Sequence, residues 1–137
     1  MTTVTMVTVI IGSVFLALAA GTHIMIFVLE SVIWSRPAVW RTFGLRSAEQ
    51  AETVKPMAFN QGFYNLFLAL GVIVGLVLLA TSTAPQAGIA LMLASGTSMV
   101  LAALVLIVSS PKLARAALIQ GLAPLIGVAL IALSLLS

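Results

Sequence analysis

The chain has 137 residues, 62% of them hydrophobic and only 7% charged, with no cysteine and no aspartate. That apolar share lies well above the range of soluble domains, and the missing cysteines exclude a disulfide framework, thiolate metal sites and a cysteine nucleophile. Six basic residues against three acidic ones give a basic balance, but they sit in two short loops without an aromatic-basic stripe, which argues against nucleic acid.

Four apolar segments follow one another, near residues 5–34, 57–81, 87–109 and 113–136. Each reaches the roughly 20 residues that a helix needs to cross the hydrocarbon core. The expected architecture is all-α: an antiparallel four-helix transmembrane bundle forming one domain over 1–137, with a loop at 35–56 that carries a short cytoplasmic interfacial helix. Ala17-Leu18-Ala19 has the look of a signal-peptidase site. The start "MTTVTMVTV" lacks basic residues and the apolar run continues past Ala20, so a retained first helix is expected. Along it, Gly12, Ala19, His23 and Glu30 share one stripe, with Glu30 near the end of the helix and His23 about 10 Å deeper.

The 35–56 loop holds Arg36, Arg41, Arg46 and Lys55. Pro37 is expected to close the first helix. Ser47 followed by Gln50 has capping-box spacing, so "SAEQAETVK" predicts the interfacial helix, with Lys55 near its C-terminal end and Pro56 in the first turn of the second membrane helix. Trp34 and Trp40 are expected as interface anchors. The second span opens on "FNQGFYN". At 100° per residue, Asn60, Gln61, Tyr64 and Asn65 fall within an arc of roughly 140°, which also takes in Gly71 and Gly75. Phe59, Phe63 and Phe67 fall on the opposite, lipid-facing side. Gly71 and Gly75 suit internal helix packing or, as the alternative, a homodimer contact.

The turn "STAPQ" is uncharged. In the third span Gly88, Ser95, Ala102 and Ser109 recur every seven residues, and in the fourth Gln120, Gly127 and Ser134 do so; small residues at this spacing let membrane helices approach closely with left-handed supercoiling. Ser110 is a candidate cap and Pro111 a first-turn residue of the fourth helix. Pro124 should free the carbonyl of Gln120. Lys112 and Arg115 complete the basic residues at the last turn. Both basic loops fall on one side, so the positive-inside rule places them in the cytoplasm and both termini outside.

Glu30, Asn60, Gln61, Tyr64, Asn65 and Gln120 thus converge near the basic end, with His23 deeper. Polar groups in lipid must find partners or water, so a polar pocket facing the cytoplasm is expected, binding or carrying a proton or a small amphipathic or cationic molecule. The structural alternatives are an ion pair of Glu30 with Arg36, Arg41 or Lys55, a His23 imidazole bonded to a neighbouring helix, and amides that join helices. A membrane enzyme acting on a lipid, isoprenoid or quinone-like substrate, and an accessory subunit of a membrane complex, are the competing functions. A homodimer is compatible with each. A single His leaves haem without a second histidine ligand, and no dinucleotide fingerprint, P-loop or metal-ligand cluster is present; the sequence names no cofactor.

The combination "HIMIFVLE", "FGL", "ETVKPMAFNQGFYN" and "QGLAP" resembles the family of small bacterial membrane proteins catalogued as domain of unknown function 1304. The resemblance spans nearly the whole chain and implies a four-helix protein of the bacterial inner membrane. It highlights His23, Glu30, Asn60, Gln61, Gly62, Tyr64, Asn65, Gln120 and Gly121. The chain departs from that pattern at Met25, where a tyrosine is expected, and at Ser31, where a bulkier residue is expected.

Overall fold

A computed structural model describes residues 3–136. α1 runs over Thr3–Phe27 and continues as a π-helical turn, Val28–Val32. The short α2 covers Pro37–Thr42, α3 Ala48–Ala80, and α4 Pro85–Ser109. A 3₁₀ turn at Pro111–Leu113 leads into α5, Ala114–Ser134. The long helices form a square: α1 and α4 each pack against both α3 and α5 and barely touch one another. Large apolar side chains cover the outside, among them Ile10, Leu18, Phe67, Val77, Leu101 and Leu133, while the inside is built from Leu16, Ala19, Ala69, Val72, Met92, Met99 and Ile131. Four helices are long and apolar enough to cross a bilayer, so an apolar exterior meets lipid rather than water.

Small residues set the helix separations. At Gly75 a Cβ would stand 2.7 Å from the Gly88 carbonyl oxygen, and at Gly88 one would stand 2.6 Å from that of Gly75. Gly71 faces Ser95 of α4. Both glycines of the Gly71–Gly75 pair therefore serve packing within the chain. Gly12 and Gly127 make the same kind of contact between α1 and α5, close to Leu16 and Ile131. Gly21, by contrast, faces open space.

Several expectations change. The segment 48–55 is no separate interfacial helix: α3 runs unbroken for 33 residues, about 50 Å, with Pro56 in its interior rather than its first turn. Ser47 does cap it, its Oγ accepting from the Gln50 amide at 3.2 Å, while Gln50 Oε1 accepts from the Arg46 amide at 2.9 Å. Pro56 is tolerated because it, Glu52 and Lys55 are exposed, which leaves the freed carbonyl on an accessible face. Lys55 pairs with Glu52 at 3.1 Å and ends no helix. The short helix of the loop is α2 instead, opened by Pro37 and closed by Gly44 at φ +84°, a left-handed conformation that glycine adopts freely. Ser110 contributes no side-chain cap; its carbonyl accepts from Leu113. In α4 the seven-residue seam holds at Gly88 and Ser95 and then slips: Ala103, not Ala102, is buried, and Ser109 is exposed. A 3.6-residue helix drifts about 20° per heptad, so a strict seven-residue repeat leaves the buried stripe as it continues along α4.

Neither tryptophan is a lipid-facing anchor. Trp34 and Trp40 are buried with Val39, Ala51 and Ala58 in a second small core under α2. Trp34 Nε1 donates to the Ala51 carbonyl at 3.0 Å, its ring stands 5.3 Å from Phe43, and Arg41 lies 5.3 Å over the ring of Trp40.

Gly75→Ala should lower the thermal stability of the detergent-purified protein by about 1–3 kcal/mol, because its Cβ meets backbone that cannot yield. Gly21→Ala should leave stability unchanged or raise it by up to about 1 kcal/mol, through helix propensity alone. Thermal unfolding of the two variants side by side checks both outcomes.

Candidate functional site

The last turn of α1 is where the chain departs from regular helix. Ile33 N–H donates to the Val28 carbonyl, five residues back, at 3.0 Å. Such π turns widen the helix locally and recur at functional sites. Glu30 lies inside this turn and is 3% exposed. Asn65 of α3 donates one amide hydrogen to Glu30 Oε2 at 3.2 Å and another to the Gln61 carbonyl at 3.0 Å. Beside it, Ser31 Oγ donates to the Phe59 carbonyl at 2.9 Å. This close seam requires glycine at 62: a Cβ there would stand 3.1 Å from Glu30 Cβ and collide with Ser31 Oγ. Ser31 is thus a hydrogen-bonding link to α3.

A cavity of about 790 Å³ opens beside Glu30, between α1, α3 and α5 and beneath the segment that follows α2. Gln61 and Gln120 line it with Glu30. Most of the rest is apolar, including Met25, Ile26, Leu29, Trp34, Phe43 and Ile119. Lys112 joins from the 3₁₀ turn and Arg115 from the start of α5. The chamber is therefore amphipathic, with a few polar groups set in an apolar wall, rather than polar throughout.

The expected site residues separate into three groups. Glu30, Gln61, Asn65 and Gln120 come together, Asn65 through its bond to Glu30. His23 is buried but does not line the cavity; its Nδ1 donates to Ala19 of its own helix at 2.9 Å rather than to a neighbouring one. A carbonyl only accepts, so the proton sits on Nδ1 and Nε2 of the uncharged ring is left as an acceptor. Asn60 and Tyr64 point outward, Tyr64 being 66% exposed. The buried face of α3, with Ala58, Gly62, Ala69, Val72 and Gly75, is centred roughly a quarter-turn from the middle of the expected arc. Gln61, Asn65, Gly71 and Gly75 therefore still make their contacts inward, while Asn60 and Tyr64 do not. Phe59 and Phe67 are exposed as expected, but Phe63 packs edge-on against Phe27 at 5.1 Å. Glu30 pairs with no basic residue; the Glu52–Lys55 contact is the one ion pair among the described residues.

The sequence marks Lys112 and Arg115 only as topology signals and gives Met25, Trp34 and Phe43 no place in the expected site. For Arg115 the signal was available: Arg115, Ala116, Ile119 and Gln120 fall in one arc of roughly 140° on α5. Among the described residues, no three His, Cys, Asp or Glu side chains cluster as metal ligands would.

Four apolar spans tied together by glycine contacts, with a buried carboxyl group between the first and second, define a multi-pass membrane protein. The chain belongs to the family described as protein of unknown function (DUF1304), whose pattern matches residues 3–132. No curated protein and no solved structure matched it.

Asn65→Leu removes the partner of a buried carboxyl group and should destabilise the protein by about 1–3 kcal/mol. Asn60→Leu, on the exposed face, should change stability by less than about 0.5 kcal/mol. Unfolding midpoints of the two variants in one detergent provide the measurement.

Proposed function

We propose that this chain binds, and in the membrane transfers, a small amphipathic molecule held in the cavity beside Glu30. The observation that carries this reading is a buried carboxyl group, fixed by Asn65, in the wall of a large and mainly apolar chamber. Its volume falls within the roughly 300–1,000 Å³ typical of small-molecule sites, and a few placed polar groups in an apolar lining are their usual composition. Glu30 has a second carboxylate oxygen beyond the one that Asn65 occupies, which would accept from a hydroxyl or amine of the occupant. Gln61 and Gln120 offer both donors and acceptors to orient it. A simple cation fits less well, because Lys112 and Arg115 line the same chamber. On this reading this end of the bundle is cytoplasmic, in a bacterial inner membrane with both termini outside; the positive-inside rule applied to the basic loops supports that orientation.

The test is extraction. Protein purified in mild detergent should carry a stoichiometric amphipathic molecule, detectable by mass spectrometry of a solvent extract. Glu30→Gln keeps the side chain's size and can still accept from Asn65, so it should preserve the fold while weakening retention by about tenfold, the loss of one charge-assisted hydrogen bond. Asn60→Leu should retain the molecule. A wild-type extract with no bound molecule, or full retention by Glu30→Gln, would contradict the reading.

A further inference from the structure

We propose that the occupant is an amphiphile with an anionic head group, a carboxylate or phosphate, held by Lys112 and Arg115 with its apolar part directed toward Met25, Ile26 and Ile119. This rests on the reading that the cavity holds an amphiphile, and it names the chemistry of the head. Of the other cations near this end, Lys55 binds Glu52 and Arg41 lies over Trp40, while Arg36 and Arg46 do not line the chamber. Lys112 and Arg115 have neither an ion-pair nor a hydrogen-bond partner among the described residues, and both line the chamber. They stand three residues apart, Lys112 in the 3₁₀ turn and Arg115 in the first turn of α5. Glu30 is the only acid in the lining, so two cations face one carboxyl group that is already bonded to Asn65.

The lining is also ordered along the bundle. α1 runs toward the basic end and α5 runs away from it. Lys112 and Leu113 therefore lie with Phe43 and Leu45 at the mouth, whereas Met25, Ile26, Ile119 and Gln120 lie further in. From Arg115 to Gln120 the rise is about 7.5 Å along α5. A charged rim at the mouth and an inner wall that is mainly apolar, with Glu30, Gln61 and Gln120 set among apolar side chains, match the head and the tail of an amphiphile in that order. Arginine suits carboxylate and phosphate by bidentate hydrogen bonding, and lysine adds a mobile positive charge.

The experiment is native mass spectrometry of the full chain released from micelles of a neutral detergent. The chain is mixed with equimolar dodecyl phosphate, dodecyltrimethylammonium and monododecyl glycerol. The wild type should form a single-ligand adduct that favours dodecyl phosphate over the other two probes by about tenfold, the preference expected from two partly exposed charge contacts. Lys112→Gln with Arg115→Gln should bring the three probes to within about twofold of one another, while Lys112→Arg with Arg115→Lys should keep the preference. Both positions are exposed, so the folded bundle does not depend on them. Adding phosphatidylglycerol then separates the sources of the head group: displacement of dodecyl phosphate assigns the site to a bilayer phospholipid, and persistence assigns it to a free single-chain anion. Equal binding of all three probes by the wild type, or a preference that survives the double glutamine variant, overturns the anionic head and leaves the amphiphile site standing. Failure of every probe to form an adduct with the wild type overturns both.

Discussion

A carboxyl group buried in an otherwise apolar bundle constrains everything around it. Glu30 must have a polar partner at close range, because an unsatisfied polar group in hydrocarbon costs several kcal/mol. The partner is Asn65, and the contact demands that α3 lie close enough to α1 for an amide to reach across. Gly62 makes that approach possible, Ser31 fastens it to the Phe59 carbonyl, and the π turn at Val28–Val32 carries Glu30 on the widened part of the helix. Removing any one of these elements would disturb the others, which is how coupled polar networks behave in a low-dielectric interior.

The far end of the bundle is organised differently. Gly12 with Gly127, and Gly75 with Gly88, draw their helices to near backbone contact there. At the basic end, bulk replaces glycine on the inner side of the loop, where Trp34, Trp40 and Phe43 form their own small core. The cavity lies between these two regimes, next to the segment around α2, with an apolar wall and with Lys112 and Arg115 among its lining residues.

Much of this was legible in the sequence. Twenty-residue apolar runs announce membrane spans, one-sided charge announces alternating topology, and the stripe through Gly12, Ala19, His23 and Glu30 is buried throughout. The rotation of α3 was not legible, because polarity was a poor guide to its inner face. Helices in lipid bury what is small, so Ala58, Gly62 and Ala69 face inward while Asn60 and Tyr64 stay outside. The continuity of α3 through Pro56 was hidden for another reason: proline in a helix interior costs a backbone hydrogen bond and is read as a boundary, yet here the carbonyl it frees lies on an exposed face. Trp34 and Trp40 are buried against Ala51 and Ala58 of α3, and Trp34 bonds to Ala51, 17 residues away, which no local pattern encodes.

The absence of cysteine from the chain leaves a clean background for testing whether Glu30, Gln61 and Gln120 share one chamber open to water at the basic end. Single cysteines at positions 61 and 120, in membrane vesicles of known orientation, can be challenged with a membrane-impermeant methanethiosulfonate reagent added to one side at a time. The account predicts that both positions react, and from the same side as a cysteine placed at Arg46. Two unreactive positions, or positions that react from opposite faces of the membrane, would contradict it.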